Sequence, residues 1–383
     1  MEGREGVPKK SAVVPWNTRE HTADMSEPSS TTAPSWRSGI WFNKSQPNDV
    51  FVIDDDGNIS SKPMVTLDFP EIEASIPLSA KSGDFGPAEK EVRDAASCGA
   101  TNYNVEVTLS PGIPPALGVL NEDGTEVVLS NHGVQTMRLL SPEEIEAVKD
   151  QREHKDTPSC PQVKEDPSKP GKLIWVVGVS CAGKSTVAQM LAKKNGYVYY
   201  EADCITMLCN PFPDLNADNL YHALMNSKPL KGWSKEDVET ITQYRMKFAS
   251  WMMKPEGSIM ELAVPMLRMM CREVAGQKRR LGGDFAVAWL LLSRRMRDIA
   301  REACPDSVFV TLSMTEECLM KRVAARHPEV VAAGIGMPPP LAKVVSEYEP
   351  AGDDEENAYN IVVKEDMTKE DVLNEVLKVT AKF

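Results

Sequence analysis

The sequence predicts an α/β protein in which a parallel sheet flanked by helices follows a loop-rich, β-containing N-terminal region. After residue 172, short apolar runs with the pattern of buried strands alternate with helical patterns, which is typical of a parallel sheet. The first 170 residues contain 17 of the 28 prolines and carry 28 acidic against 16 basic residues, a net charge of −12. These shifts divide the chain into a segment with the composition of a disordered chain (1–40), a small β-containing region (41–157), a linker (158–171) and a domain (172–383).

Few segments of the N-terminal region have the pattern of regular structure. Residues 50–53 and 104–109 have strand patterns, and 116–129 predict a β-hairpin. Ser141 and Pro142 predict the start of a helix that ends near Arg152. The acidic run 54–57 is interpreted as a turn, because a calcium loop would need spaced acids and a Glu at its twelfth position. We therefore expect this region to be strand-poor.

Composition bears on the compartment and on the partners. The eight cysteines form no CxxC pair, which argues against a structural zinc site and favours the reduced thiols of a cytoplasmic protein. No apolar run approaches the roughly 20 residues of a membrane span, and the N-terminus lacks a signal-peptide pattern, so no membrane is expected. The net charge of −13 disfavours nonspecific binding to nucleic acid.

The strongest motif follows the apolar run 172–177. Gly178, Gly183, Lys184 and Ser185 occupy every fixed position of the G-x-x-x-x-G-K-S/T pattern, and a helical pattern follows over 187–194. Backbone N–H groups of such a loop point at phosphate oxygens, and the helix N-terminus adds positive charge. The motif predicts a P-loop NTPase-type domain that binds ATP, with Lys184 on the phosphates and Ser185 as a ligand of Mg²⁺. The predicted nucleotide-binding residues are Gly178, Ser180, Cys181, Ala182, Gly183, Lys184, Ser185 and Thr186.

Later segments predict the acceptor side of the site. Residues 197–203 have the pattern of a strand that ends at Asp203, and strand C-termini face the ligand crevice of a parallel sheet. Asp203 either accepts the proton of a substrate hydroxyl and helps to position the metal, or it only caps the next helix. Arg322 and Arg326 share a face of the helix predicted over 315–326. That face is either solvated or serves to neutralise a moving phosphoryl group. Further strands are expected at 284–292, 307–312 and 360–363.

In this order, these segments resemble the gluconokinase branch of the small P-loop kinases, near the shikimate and adenylate kinases. Residues 177–185 resemble its G-V-S-G-S-G-K-S loop, Asp203 matches the Asp of its G-D-x-x-H segment, and 321–327 resemble its lid stretch R-L-x-x-R-x-x-H. The resemblance implies catalytic roles for Lys184, Asp203, Arg322 and Arg326, and acceptor contacts for Asp203, Arg294 and Arg297. The Met-rich stretch 245–283 is longer than the family needs, and it predicts either an added helical insert or an adaptable binding surface.

The patterns favour two functions over a third, a nucleic-acid end kinase, because the first 170 residues are acidic and the basic patch 278–280 is small. The first is an ATP-dependent phosphotransferase that acts on a hydroxyl of a small metabolite, with anionic metabolites included among its acceptors. The alternative is a nucleotide-binding regulatory or scaffold protein that uses residues 1–170 to bind a partner protein.

Overall fold

The computed structural model describes residues 35–96, 98–109, 115–130, 133–154, 171–213, 227–326 and 336–383. Most of the predicted segment 1–40 and nearly all of the predicted linker 158–171 lie outside the described residues. None of the helices in these described ranges is long and apolar enough to cross a membrane.

The N-terminal region is a nine-stranded antiparallel sheet in the order β4-β3-β2-β1-β9-β8-β7-β6-β5. The edge strands β4 and β5 are separated in the chain only by Ser79, so the sheet curls until its two edges lie side by side. The strands are β1 (Gly39–Asn43), β2 (Asp49–Ile53), β3 (Ile59–Pro63), β4 (Ile76–Leu78), β5 (Ala80–Ser82), β6 (Val105–Val107), β7 (Ala116–Leu120), β8 (Glu126–Ser130) and β9 (Val134–Leu139).

The expectation of a strand-poor N-terminal region is therefore wrong. Several strands lack an apolar pattern: β3 buries Ser61 between Ile59 and Pro63, and only Met137 is buried in β9. The predicted hairpin is confirmed as β7 and β8. Regular structure also begins before residue 41, since β1 starts at Gly39.

Two short helices and a 3-10 helix accompany this sheet. They are α1 (Lys90–Ala95), α2 (Pro142–Asp150) and the 3-10 helix Met64–Asp68. The predicted start of α2 is confirmed, because the Ser141 hydroxyl accepts from the Glu144 N–H and the Glu144 carboxylate accepts from the Ser141 N–H.

The C-terminal region contains the predicted parallel sheet, with strand order β12-β14-β11-β15-β16. Its strands are β11 (Leu173–Gly178), β12 (Val198–Glu201), β14 (Phe285–Trp289), β15 (Ser307–Ser313) and β16 (Ala358–Val362). Every residue of β11, β12 and β14 is buried, which explains the continuous apolar runs. Two predicted strand ends are wrong: β14 ends at Trp289 instead of residue 292, and β12 ends at Glu201, with Asp203 beginning a helix.

Helices surround this sheet. They are α3 (Lys184–Asn195), α4 (Asp203–Thr206), α5 (Lys235–Met253), α6 (Ile259–Leu281), α7 (Arg294–Ala303), α8 (Glu316–Arg326), α9 (Pro339–Ser346) and α10 (Lys369–Thr380). The Met-rich stretch forms the end of α5 and all of α6. Met266, Met269 and Met270 of α6 are buried in the core, whereas Met253 of α5 is 65% exposed. Packing of a helical insert therefore accounts for the buried methionines.

The N-terminal sheet has its own cluster of buried residues, and the two regions meet at a second, larger cluster. Val65, Ile72 and Ala74 from the N-terminal region belong to the same cluster of buried residues as the strands of the parallel sheet. A small parallel sheet also joins the regions, through β10 (Glu153–His154) and β13 (Leu230–Lys231). The described residues accordingly fall within one compact unit.

Candidate active site

The predicted phosphate loop lies between the central strand β11 and helix α3. Its backbone enters the left-handed region at Cys181 (φ 64°) and Gly183 (φ 95°), and Gly178 has φ 153°. A Cβ atom at Gly178 would lie 2.8 Å from the Leu312 carbonyl oxygen, so only glycine fits there. The loop therefore curls tightly onto the N-terminus of α3, the geometry in which loop N–H groups converge on a phosphate.

Lys184 is held inside this loop. Its side chain is buried, and Nζ donates a hydrogen bond of 2.9 Å to the Val179 carbonyl oxygen. Burial lowers the pKa of Lys184, while the negative charges of Asp203 and Glu201 act to raise it. The loop thus presents a cation toward two carboxylates at the carboxyl end of β12.

Glu201 is a candidate site residue that sequence reasoning missed. The side chain is fully buried, and Tyr199 donates a hydrogen bond of 2.5 Å from its hydroxyl to Glu201 Oε2. Ser185, the predicted magnesium ligand, acts to lower the pKa of this carboxyl group, whose Oε1 is buried without a hydrogen-bond partner among the described residues. Burial and then the neighbouring Asp203 raise the pKa of Glu201 to about 7. The sequence feature that could have identified Glu201 is an acidic residue at the end of a predicted buried strand.

Asp203 is the first residue of α4, with its side chain exposed to solvent. The protein atoms packed around this position raise the pKa of Asp203 by desolvation, whereas the positive charges of Lys184 and Arg326 lower it. Asp203 therefore combines access to a ligand with proximity to the phosphate loop, and it lies beside two of the predicted cations.

The two predicted arginines of α8 both lie at the loop. Arg322 donates from Nη1 to the Ala182 carbonyl oxygen at 3.1 Å and is half-buried. Arg326 is exposed, and its charge acts on both Lys184 and Asp203. Helix α8 begins as predicted, because the Thr315 hydroxyl accepts from the Cys318 N–H at 3.2 Å.

Arg297 does not lie with this group, which corrects its predicted contact with an acceptor. Its side chain is fully buried, and Nε and Nη2 donate to the Glu355 carboxylate at 2.7 and 2.5 Å. Its Nη1 donates to the Glu349 carbonyl oxygen at 2.8 Å. Arg297 therefore serves the fold. Arg294 is exposed and pairs with Asp354 at 2.6 Å, so its predicted role stays a prediction.

The solved structures to which the chain is similar include three small-molecule kinases. They are a gluconokinase from Sinorhizobium meliloti 1021 (21% identity, TM-score 0.36), a sugar kinase from Janibacter sp. HTCC2649 (22%, 0.37), and the APS kinase of Mycobacterium tuberculosis in complex with AMPPNP and APS (18%, 0.31). The matches cover 56%, 55% and 55% of this chain and 93%, 95% and 98% of those chains. No family model matches the chain, and no curated protein matches it. Likeness at this level concerns only the fold of about half the chain.

The residues at the loop fit a magnesium nucleotide. Mg²⁺ takes hard oxygen ligands, usually one or two from the protein together with phosphate oxygens, and Ser185, Glu201 and Asp203 supply such oxygens here. Across the residues that the structure describes, no group of three or more His, Cys, Asp or Glu side chains could hold a metal ion by itself. The donor set therefore suits a cation that is bound together with the phosphates.

Proposed function

We propose that this protein is an ATP-dependent phosphotransferase that acts on a hydroxyl group of a small metabolite. The proposal is supported most by one arrangement: a curled phosphate loop carries Lys184 beside Glu201, Asp203 and Arg326. Catalysis of phosphoryl transfer depends on positioning and on charge neutralisation, and these residues supply both.

Each side chain has a distinct task in this proposal. The loop N–H groups and Lys184 bind the phosphates, and Ser185 is the ligand of Mg²⁺. When bound, the magnesium nucleotide supplies the phosphoryl group and neutralises part of its charge. Arg322 and Arg326 stabilise negative charge on the moving phosphoryl group. Glu201, which accepts a hydrogen bond from Tyr199, adds a buried carboxyl group whose charge acts on Lys184.

Asp203 is the proposed group that orients and deprotonates the acceptor. It is exposed, whereas Glu201 is buried and already hydrogen-bonded to Tyr199. The acceptor hydroxyl gives its proton to the Asp203 carboxylate, its oxygen forms a bond to the γ-phosphorus, and the bond from that phosphorus to the bridging oxygen of ADP breaks. The resemblance to gluconokinases makes sugar acids the first acceptors to test.

The proposal is tested with the full chain, ATP, Mg²⁺ and a panel of sugar acids, polyols and nucleosides. We expect one class of acceptor to accelerate ADP formation. Lys184→Ala and Asp203→Asn should each lower that rate by about 100-fold or more, because they remove phosphate stabilisation and the proton acceptor. Lys193→Ala, at the exposed end of α3, is the matched control and should leave the rate unchanged.

Two results would count against this function. If no acceptor accelerates ADP formation and Lys184→Ala binds AMPPNP as tightly as the wild type, the site does not handle nucleotide. If AMPPNP binding depends on Lys184 but no phosphoryl transfer occurs, a nucleotide-binding regulatory protein becomes the better description.

A further inference from the structure

The N-terminal region contacts the C-terminal region through residues 210, 231, 235 and 245, near the short helix that begins at Asp203. Four side-chain contacts join the two parts there: Asp49 with Arg245, Glu71 with Lys235, Asp150 with Lys231, and Glu153 with Asn210. Two of the four involve α5, which also contacts β4 and the short helix α4 that begins at Asp203. The N-terminal sheet therefore borders the elements expected to bind the acceptor.

The contact between Asp49 and Arg245 is the most enclosed of the three ion pairs. Arg245 donates from Nη2 to both oxygens of Asp49, at 2.9 and 3.1 Å, and the two side chains are 15% and 23% exposed. Asp49 starts β2 and is paired with Pro63 of β3, which fixes its backbone. Arg245 Nη1 is buried with no hydrogen-bond partner among the described residues. The position of this guanidinium group therefore depends on Asp49.

Tyr244, the residue before Arg245, lies on the helix α5 that contacts α4, and α4 begins at Asp203. Tyr244 is half-buried on α5, and burial together with the negative charge of Asp203 raises the pKa of Tyr244. Its ring stacks on Phe248 at 5.7 Å, and Phe248 stacks on Trp251 at 6.0 Å. A shift or rotation of α5 would move this aromatic row relative to Asp203.

We propose that the ion pair between Asp49 and Arg245 is a positioning device, through which the N-terminal sheet holds α5 and sets Tyr244 against Asp203. The N-terminal sheet is then a built-in part of the acceptor side, with Asp49 and Arg245 as positioning residues. The effect of this ion pair on the kinetics rests on the proposed function, whereas the placement of Tyr244 can be measured without any turnover.

The first test follows Tyr244 by fluorine NMR in the full chain labelled with fluorotyrosine. Tyr244→Phe identifies the resonance, and Asp203→Asn should shift it because the negative charge of Asp203 acts on Tyr244. Asp49→Asn should shift or broaden the same resonance, and the exchanged pair Asp49→Arg with Arg245→Asp should restore it. Lys81→Gln is the matched control, since it breaks an exposed ion pair with Glu106 inside the same sheet. The thermal unfolding midpoint verifies that each variant is folded.

A Tyr244 resonance that is unmoved by Asp49→Asn, or unmoved by Asp203→Asn, overturns the proposal. A resonance that the exchanged pair does not restore also overturns it, because the effect would then not come from the ion pair. If Asp49→Asn does not fold, the exchanged pair alone decides: a folded protein with the wild-type resonance supports the proposal, and an unfolded one contradicts it.

The second test uses the acceptor that the panel identifies. Asp49→Asn should raise the KM for that acceptor roughly tenfold through misplacement of the acceptor side, with kcat and the KM for ATP within about twofold of the wild type. An equal rise in both KM values would contradict a specific role on the acceptor side. If no acceptor is turned over, the proposed function fails, while the NMR result still decides whether the ion pair positions Tyr244.

Discussion

Left-handed backbone conformations flank helix α3 at both ends, at Gly183 (φ 95°) and Gly196 (φ 71°). A Cβ atom at Gly183 would lie 3.3 Å from Arg322 Nη1, whereas a Cβ atom at Gly196 would meet nothing within 4 Å. The two glycines therefore carry the same conformational demand, but only Gly183 touches the candidate site.

We predict that Gly183→Ala and Gly196→Ala each lower the free energy of unfolding by about 1–2 kcal/mol, since each places an L-residue in the left-handed region. Only Gly183→Ala should also weaken AMPPNP binding, because its methyl group displaces Arg322 from the loop. Urea unfolding and titration calorimetry measure the two effects. Equal AMPPNP affinity in both variants would show that Arg322 is not held at the phosphates by this contact.

Site residues that belong to a sequence motif could be predicted from the sequence, whereas site residues that are placed by packing could not. The phosphate-loop motif assigns Lys184 and Ser185 because backbone curvature and phosphate charge dictate each position. Glu201 has no such motif, and its importance comes from its burial and from the Tyr199 hydroxyl that donates to it in the folded chain. Asp203 was found as a carboxylate near a strand end, although the strand ends two residues earlier.

Helix α7 is anchored by a buried ion pair. Arg297 and Arg301 both donate to Glu355, whose side chain is 2% exposed and precedes β16. Burial raises the pKa of Glu355, but the hydrogen bonds and charges of the two arginines outweigh burial and hold it below the ordinary value of 4.5. A carboxyl group with a lowered pKa stabilises the fold above that ordinary value, and the stabilisation is lost as the pH falls through the lowered pKa.

We predict that Glu355→Gln lowers the free energy of unfolding by about 3 kcal/mol at neutral pH, because it leaves the buried Arg297 without its counter-charge. The difference from the wild type should be constant above the ordinary Glu pKa of 4.5 and should shrink as the pH falls below it. Urea unfolding of both proteins at a series of pH values measures this difference in the free energy of unfolding.

Glu375→Gln, which breaks an exposed ion pair with Lys378 on α10, is the control and should cost less than about 0.5 kcal/mol. A loss for Glu355→Gln that persists unchanged in acid would show that shape, rather than charge, anchors α7.

The predictability of whole elements followed their burial. The parallel strands are buried on both faces, so an apolar run is sufficient to locate β11, β14 and β15. The strands of the N-terminal sheet are short and partly polar, and backbone pairing in a curled sheet holds them, which leaves a weak sequence signal. Local sequence patterns could not predict the partner of Arg297, because Glu355 lies 58 positions further along the chain.

The segment that leads from β3 to β4 packs in the same cluster of buried residues as the C-terminal parallel sheet, and this makes the two regions one unfolding unit in our interpretation. Val65 and Ile72 leave water only when both parts are folded, since they pack in the same cluster as the parallel sheet. Loss of either part would expose apolar surface on the other. Stabilisation of one part should therefore reach the other.

We predict that AMPPNP with Mg²⁺ slows hydrogen exchange in β2 as much as in β14, although β2 belongs to the N-terminal sheet. At a nucleotide concentration of 100 Kd, ligand binding adds about 2.7 kcal/mol to every amide that exchanges through global unfolding, which is a factor of about 100 in rate. Lys184→Ala should abolish the slowing in both strands, and exchange measured by mass spectrometry resolves them. Slowing confined to β14 would mean that the N-terminal sheet unfolds by itself. Nucleotide binding slows exchange only at amides that exchange when the nucleotide site unfolds.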